Sequence, residues 1–253
     1  MYECLFLGNH TIALKEVTST NVFAAELIKN QHALITDGTV VFAENQTNGK
    51  GQRGSVWLSQ PNENLTFSVV LKPSLLVDEQ FLLSKMVALG IFDFLTNRGI
   101  KNVAIKWPND IYVNNKKIAG MLLENILRNS KIEYCIAGIG LNVNQVDFPK
   151  DLSHAISLQQ ITNQPYDLAS LLKEVLFFIE KRYMQLKSGK LTVLNQDYLK
   201  QMLGYQKENS FIIHQQKVSG KIVGVDKSGR LQVAINQHIQ SFDLKTIQFC
   251  LEE

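Results

Sequence analysis

Cysteine is scarce in this chain: Cys4, Cys135 and Cys250 are three in number and far apart among 253 residues. An odd, scattered set excludes a disulfide scaffold and argues against a thiolate metal site; it fits reduced thiols in a cytoplasmic protein. No apolar run is long enough to span a bilayer. The opening Met1-Tyr2-Glu3-Cys4-Leu5-Phe6-Leu7 lacks the basic start and apolar length of a secretory signal. Charge of one sign is lacking too: 26 Lys and Arg against 23 Asp and Glu leave a formal +3, which does not imply a nucleic-acid partner. Repeats and low-complexity tracts are absent. What remains is an ordinary core former, 45% hydrophobic, sized for one large domain or a catalytic domain with a small companion.

The most informative stretch is Gln46 to Trp57, with Gly49, Gly51 and Gly54 interleaved with Lys50 and Arg53 after an apolar run from Thr39 to Ala43. Glycine lets a ligand approach the main chain, and cations beside free N–H groups suit an anion. Trp57 offers a flat surface to a base or to a core. The three glycines spell the dinucleotide fingerprint, but that needs a helix opening at the last glycine. Ser55-Val56-Trp57-Leu58-Ser59-Gln60-Pro61-Asn62 is no helix start. A protein-kinase reading, prompted by Val103-Ala104-Ile105-Lys106, fails because neither H-R-D nor D-F-G occurs.

Taken in order, Ser19-Thr20-Asn21 predicts a helix start, with Val22, Phe23, Leu27 and Ile28 as an apolar stripe. Its hydroxyl and amide side chains either cap the first turn or meet a ligand. Strands are expected at Thr39–Glu44 and Leu65–Leu71, and Asp78 is expected to cap a helix from Glu79 to about Asn97. Val103–Trp107 is a short strand, and Asn114-Asn115 a hairpin turn between β-rich runs. Lys106, Asp110, Lys117 and Glu124 fall on adjacent strands, so that several converge on one cleft or form a solvated ion-pair face. Gly138 and Gly140 share one strand face, where two missing side chains leave room for a ligand or a crossing backbone. Asn142, just beyond, is placed to read a base edge. Helices follow at 167–187 and 193–202, then short alternating strands at 210–215, 217–225, 230–235 and 240–244, the texture of a small barrel of roughly 50 residues.

These motifs, in this order, resemble the biotin–protein ligases, the biotin–[acetyl-CoA-carboxylase] ligases. The resemblance rests on Ser19-Thr20-Asn21, the Gly49–Trp57 loop, Lys106-Trp107-Pro108-Asn109-Asp110, Lys117-Ile118-Ala119-Gly120 and Gly138-Ile139-Gly140-Leu141-Asn142, over roughly residues 15–145. The K-W-P-N-D run followed by K-I-A-G is the specific part. The resemblance implies an α+β fold: a class II synthetase-like catalytic domain, its mixed or antiparallel sheet flanked by helices, over 1–203, and an SH3-like β-barrel over 204–253. It implies ATP and Mg²⁺, biotin as substrate, and transfer of biotin through biotinyl-5′-AMP to a lysine of a carboxylase's biotin carboxyl carrier domain. Family members often pair through sheet edges, so a homodimer is possible. With the biotin-pocket motif at Ser19, no N-terminal DNA-binding domain, no repressor role and no membrane association are expected.

Residue by residue, the resemblance gives Ser19, Thr20, Asn21 and Gln46 to biotin, with Gly49, Lys50 and Gly120 close by. Lys117 would bind the carboxylate and then the acyl phosphate. Lys106 would face the phosphates, and Asp110 a metal ion or the acceptor amine; the metal ligands are not identified. Lys50, Gln52, Arg53, Trp57, Lys106, Asn109 and Asn142 would surround ATP. Rival readings are a lipoate or octanoate ligase or transferase, whose R-R-x-x-G-G-G loop is absent; a non-catalytic biotin or nucleotide sensor, against which Lys117 argues; and a nucleic-acid binder using the small barrel, which shows no basic aromatic face.

The usual G-R-G-R-x-G loop of the family carries a second arginine where this chain has Gln52, and Ser55 replaces another. Glutamine cannot neutralise a phosphate; either the adjacent Arg53 substitutes for it or the adenylate escapes faster than from a G-R-G-R enzyme, and faster escape is the expectation. Slow release of biotinyl-adenylate into solution, followed by rapid filtration, would refute this.

Overall fold

The computed structural model describes residues 2–31 and 35–250. Met1, residues 32–34 and 251–253, and with them the outermost ends of both expected domains, lie outside the described residues, as does the Arg53 side chain. Two sheets are present. The larger takes strands β1 (Thr11–Val17), β2 (Thr39–Gln46), β3 (Leu65–Leu71), β4 (Val103–Lys106), β5 (Asp110–Val113), β6 (Lys116–Arg128) and β7 (Lys131–Leu141) in the order β1-β2-β3-β7-β6-β5-β4. Only β1 and β2 run parallel; the other neighbours are antiparallel.

β3 is buried at every position, as a central strand covered on both faces must be. Its alternate residues Leu65, Phe67, Val69 and Leu71 face the main core, built with helices α2 (Phe81–Asn97), α4 (Leu168–Lys187) and α5 (Leu191–Gln201). Val70, with Val41, Tyr134 and Ile136, packs instead on helix α1 (Thr20–Gln31) across the opposite face. Gly90 allows the tight α2–α4 crossing: a Cβ there would lie 2.8 Å from the Ile179 Cα. A short helix, α3 (Leu158–Thr162), follows β7. Among the described residues no helix is long and apolar enough to cross a membrane.

The second sheet is antiparallel and five-stranded, with β8 (Glu208–Ile213), β9 (Gln216–Val225), β10 (Leu231–Ile235), β11 (His238–Phe242) and β12 (Gln248–Phe249) in the order β11-β10-β9-β8-β12. The whole is α+β, as the motifs imply. Strand Thr11–Val17 was not foreseen. Asp78 is not a helix cap: it sits inside a 3-10 turn, Val77–Glu79, and Glu79 supplies the carboxylate that accepts from the Leu76 N–H at 3.0 Å. Asn114 and Asn115 turn the β5–β6 hairpin at positive φ (49° and 61°), the backbone that asparagine tolerates.

Glu180 of α4 holds the N-terminal segment. Its buried carboxylate accepts from the N–H groups of Leu5, Phe6 and Leu7 at 2.6, 2.8 and 2.8 Å. Glutamine would turn an NH₂ towards these donors, so Glu180→Gln is expected to cost about 2–3 kcal/mol. A denaturant midpoint equal to the wild type's would rule the tether out.

Candidate active site

The α1 face of the large sheet is flat where side chains are missing. Register places Thr66 opposite Gly140, Gly140 opposite Gly120, Gly120 opposite Asp110 and Asp110 opposite Lys106, one row across β3, β7, β6, β5 and β4. The next row is Ser68, Gly138 and Leu122. Two adjacent glycines in the first row make a floor, and Trp57 lies on it. A Cβ at Gly140 would run into the indole, and one at Gly120 would come within 3.0 Å of Trp57 Cζ3. Gly138 clears space in the same way for the Asn21 side chain. The same-face pair therefore accommodates two site side chains, neither of them a crossing backbone.

Lys117 reaches this face because of a β-bulge. It stands three residues before Gly120, and strict alternation would point it into the core. The register of β5 and β6 shifts between Ile111 and Tyr112, so that Ile118 and Ala119 both enter the core and Lys117 turns to the cleft. There its Nζ lies 2.7 Å from Asp110 Oδ1 and 5.6 Å from the centre of the Trp57 ring.

Above the floor the glycine loop forms a small hairpin. Trp57 N–H donates to Gly49 O, Lys50 bridges Val56, and Gly51 N–H donates to Ser55 O, around a 3-10 turn at Gln52–Gly54. Gly49 thus closes the neck of the loop. At the start of α1, Gln46 Oε1 accepts from the Thr20 N–H and hydroxyl at 2.8 and 3.1 Å. Ser68 Oγ bonds Thr20 Oγ1 at 2.7 Å and Asn21 Oδ1 at 2.6 Å, and Asn21 Nδ2 donates to Glu124 Oε2 at 2.7 Å. Thr20 and Asn21 therefore serve this buried network more than the helix end. Ser68 escaped the sequence reading; its signal is a hydroxyl in phase with Thr66 within an otherwise apolar strand. Glu124 is exposed and anchors Asn21, whereas Lys106, Asp110 and Lys117 do converge.

The resulting cavity holds about 420 Å³ and is lined by Ser19, Thr20, Asn21, Gln46, Lys50, Gln52, Trp57, Lys106, Asn109, Asp110, Lys117 and Gly120, among others. One wall comes from β12 and the turn that leads into it: Leu244, Lys245, Ile247, Gln248 and Phe249. No local pattern pointed to these. Lys106 Nζ lies 4.9 and 5.7 Å from the Tyr112 and Phe249 ring centres and donates to the Tyr112 hydroxyl at 3.2 Å. Burial pulls its ammonium below the ordinary lysine range; Asp110 opposes this and Lys117 adds to it. Next to it, Trp107 Nε1–H donates to Gly229 O at 2.8 Å, fastening the second sheet to the K-W-P-N-D segment. Asn109 bonds Met121 O through its side chain and accepts the Met121 N–H at 3.0 Å, which closes the hairpin at the cavity edge.

Asn142 does not line the cavity: it is 3% exposed and its side-chain NH₂ donates to the backbone carbonyl of Ile156 at 3.1 Å. Cys135 is buried and its thiol is pushed up to about 12, so it is no nucleophile. Among the described residues, three buried polar atoms without a hydrogen bond belong to cavity residues: Gln52 Oε1, Trp57 Nε1 and Asp110 Oδ1, the last meeting Lys117 as an ion pair only. Such orphans are costly unless a ligand completes them.

Residues 13–142 match the Biotin/lipoate A/B protein ligase family. Over 237 residues, 92% of this chain and 72% of the relative, the sequence is 31% identical to the bifunctional ligase/repressor BirA of Bacillus subtilis (strain 168). Over 132 residues, 51% of this chain and 53% of the relative, it is 33% identical to the biotin--[acetyl-CoA-carboxylase] ligase of Paracoccus denitrificans. The fold is similar to that of a biotin protein ligase from Aquifex aeolicus in complex with biotin and ATP, with a TM-score of 0.77, 28% identity and coverage of 96% of this chain and all of that one. Motif order, fold and similarity over nearly the whole length agree: the chain is a ligase and belongs to the biotin/lipoate A/B protein ligase family.

Proposed function

We propose that this ligase joins biotin to ATP and passes the biotinyl group to a lysine on a biotin carboxyl carrier domain of a carboxylase. The observation that carries the reading is the position of Lys117, in one cavity between the polar pocket of α1 and the Trp57–Lys106 side. A carboxylate and a triphosphate repel each other, and a cation between them lowers the cost of their approach. In the first step a biotin carboxylate oxygen bonds the α-phosphorus and the bond to the bridging oxygen breaks, releasing pyrophosphate. In the second, the acceptor amine attacks the acyl carbon, AMP leaves, and the amine loses its proton.

Ser19, Thr20, Asn21 and Gln46, with Ser68, give the pocket hydroxyls and amides that suit a ureido ring. An apolar dithiolane head would leave them unmatched, which favours biotin over lipoate. Lys50, Gln52 and Arg53 on the loop, with Trp57, Lys106 and Asn109, are assigned to the nucleotide. Asp110 offers one carboxylate within the cavity, which suits Mg²⁺, an ion usually held by one or two carboxylates and substrate phosphates. When bound, Mg²⁺ would neutralise polyphosphate charge. Residues 1–203 would bind and activate, and 204–253 would complete the cavity wall. Three unpaired cysteines suit a reducing compartment.

Biotin-dependent ATP–pyrophosphate exchange tests the reading. Lys117→Ala is expected to lower it by about 100-fold or more; no exchange from folded wild type with biotin and Mg²⁺ would sink the proposal. The glycine floor predicts a division of effects. Gly138→Ala displaces Asn21 and is expected to raise KM for biotin, whereas Gly140→Ala displaces Trp57 and is expected to raise KM for ATP, each by about tenfold or more. Equal effects of both variants on both substrates would contradict the assignment.

A further inference from the structure

The side-chain amide of Asn21 lies across the sheet, over Gly138, and meets a different strand at each end. In the row beneath it Leu122 of β6 stands opposite Gly138 of β7, and Gly138 opposite Ser68 of β3. At the β6 end, Asn21 Nδ2 donates to Leu122 O at 3.2 Å and to Glu124 Oε2 at 2.7 Å. At the β3 end, Asn21 Oδ1 accepts from the Ser68 hydroxyl at 2.6 Å. Both amide protons are thus spent on β6. Glu124 follows Leu122 by two residues and so shares its face. It is exposed and stands outside the cavity lining, yet it is the nearer of the two anchors of a side chain that is 3% exposed.

An ionised carboxylate only accepts hydrogen bonds, whereas hydroxyls and amides also donate. Glu124 therefore fixes which way the Asn21 amide faces, since the amide turned over would set Oδ1 against the carboxylate oxygens. That direction passes along the network. Ser68 has one proton and two oxygen neighbours, Asn21 Oδ1 at 2.6 Å and Thr20 Oγ1 at 2.7 Å. An amide oxygen cannot donate, so the Ser68 proton goes to Asn21. The Thr20 hydroxyl proton is then kept inside the network, between Ser68 Oγ and Gln46 Oε1, the latter 3.1 Å away. Towards the cavity that it lines, Thr20 offers a lone pair. Gln46 Oε1 is taken by Thr20, which leaves the Gln46 amide to donate. An acceptor beside a donor matches the N–H and C=O of a ureido ring.

We propose that Glu124 is a positioning residue for the biotin pocket: from outside the cavity its carboxylate fixes the Asn21 amide and, through Asn21 and Ser68, makes Thr20 an acceptor for a ligand N–H. The proposal rests on the reading of this pocket as the biotin end of the cleft, and adds to it a residue that touches no substrate. Without Glu124 the amide keeps only the longer bond to Leu122 O, and the sense of the chain is no longer set by a group that cannot donate.

The test compares Glu124→Ala and Glu124→Gln with the wild type, by calorimetric titration with biotin in the absence of ATP and by biotin-dependent pyrophosphate exchange. Glutamine can turn its carbonyl oxygen to Asn21 and keep the acceptor; alanine removes it. Glu124→Ala is expected to raise Kd and KM for biotin about tenfold, with kcat and KM for ATP little changed. Glu124→Gln is expected to stay within about threefold of the wild type. Asn21→Ala combined with Glu124→Ala should bind biotin no more weakly than Asn21→Ala alone, because the two act through one group. NMR of the unliganded protein gives a readout free of binding and catalysis: the Asn21 side-chain amide protons should exchange with solvent faster in Glu124→Ala and not in Glu124→Gln. Unchanged biotin affinity in Glu124→Ala, losses that multiply in the double variant, or unchanged exchange of the Asn21 amide would each overturn the proposal. A wild type that binds biotin without catalysing exchange would remove the ligase reading alone, and the affinities would still decide the role of Glu124. A wild type that binds no biotin would overturn both.

Discussion

A strand sends successive side chains to opposite faces, and the cleft depends on two local interruptions of what that rule would build. The first is the pairing of Gly140 with Gly120, which, with Gly138 in the next row, opens a flat patch in the middle of the sheet. The second is the bulge at Ile118, which moves Lys117 from the core face to the patch. Neither alone makes a site. Glycines without the lysine would give a slot for an indole, and the lysine without the glycines would have no room beside Trp57.

The surrounding structure supports these two features from several directions. The network of Gln46, Thr20, Ser68 and Asn21 fixes the start of α1 over Gly138. The K-W-P-N-D segment is gripped in turn. Ile105 O accepts from Leu203 N–H, Lys106 lies near Phe249, and Trp107 bonds Gly229, so three consecutive residues each meet the chain beyond α5. This grip dehydrates Lys106 and keeps it beside the cavity.

Much of this was legible in the sequence where the signal is local. The glycine loop, the period-two Gly138 and Gly140, the helix start at Ser19 and the Asn-Asn turn follow from residue type and spacing alone. What needed the fold was register. The pairing of Gly120 with Gly140 is set by the β6–β7 register, and the facing of Lys117 by one extra residue in β6 against β5; composition reveals neither. Ser68 was hidden because a small hydroxyl residue within the apolar run Leu65–Leu71 carries no mark of its own. Thr11–Val17 went unnoticed because Ile12-Ala13-Leu14 is a short apolar run without clean alternation, and its partner, β2, lies beyond a whole helix. Asn142, whose type and place suggest base recognition, has its side-chain NH₂ on the Ile156 carbonyl, a contact that depends on the fold and not on local pattern.

The wall formed by Leu244 to Phe249 has a consequence for how the protein is made. A ribosome delivers Lys106, Asp110 and Lys117 long before it delivers this wall. Until the second sheet has emerged and seated its 226–229 turn on Trp107, the lysines stand in an open groove exposed to water. The nascent chain thus carries the charged groups of its cavity before it holds the residues that enclose them. Enclosure waits for a segment more than a hundred positions downstream of the lysines it covers.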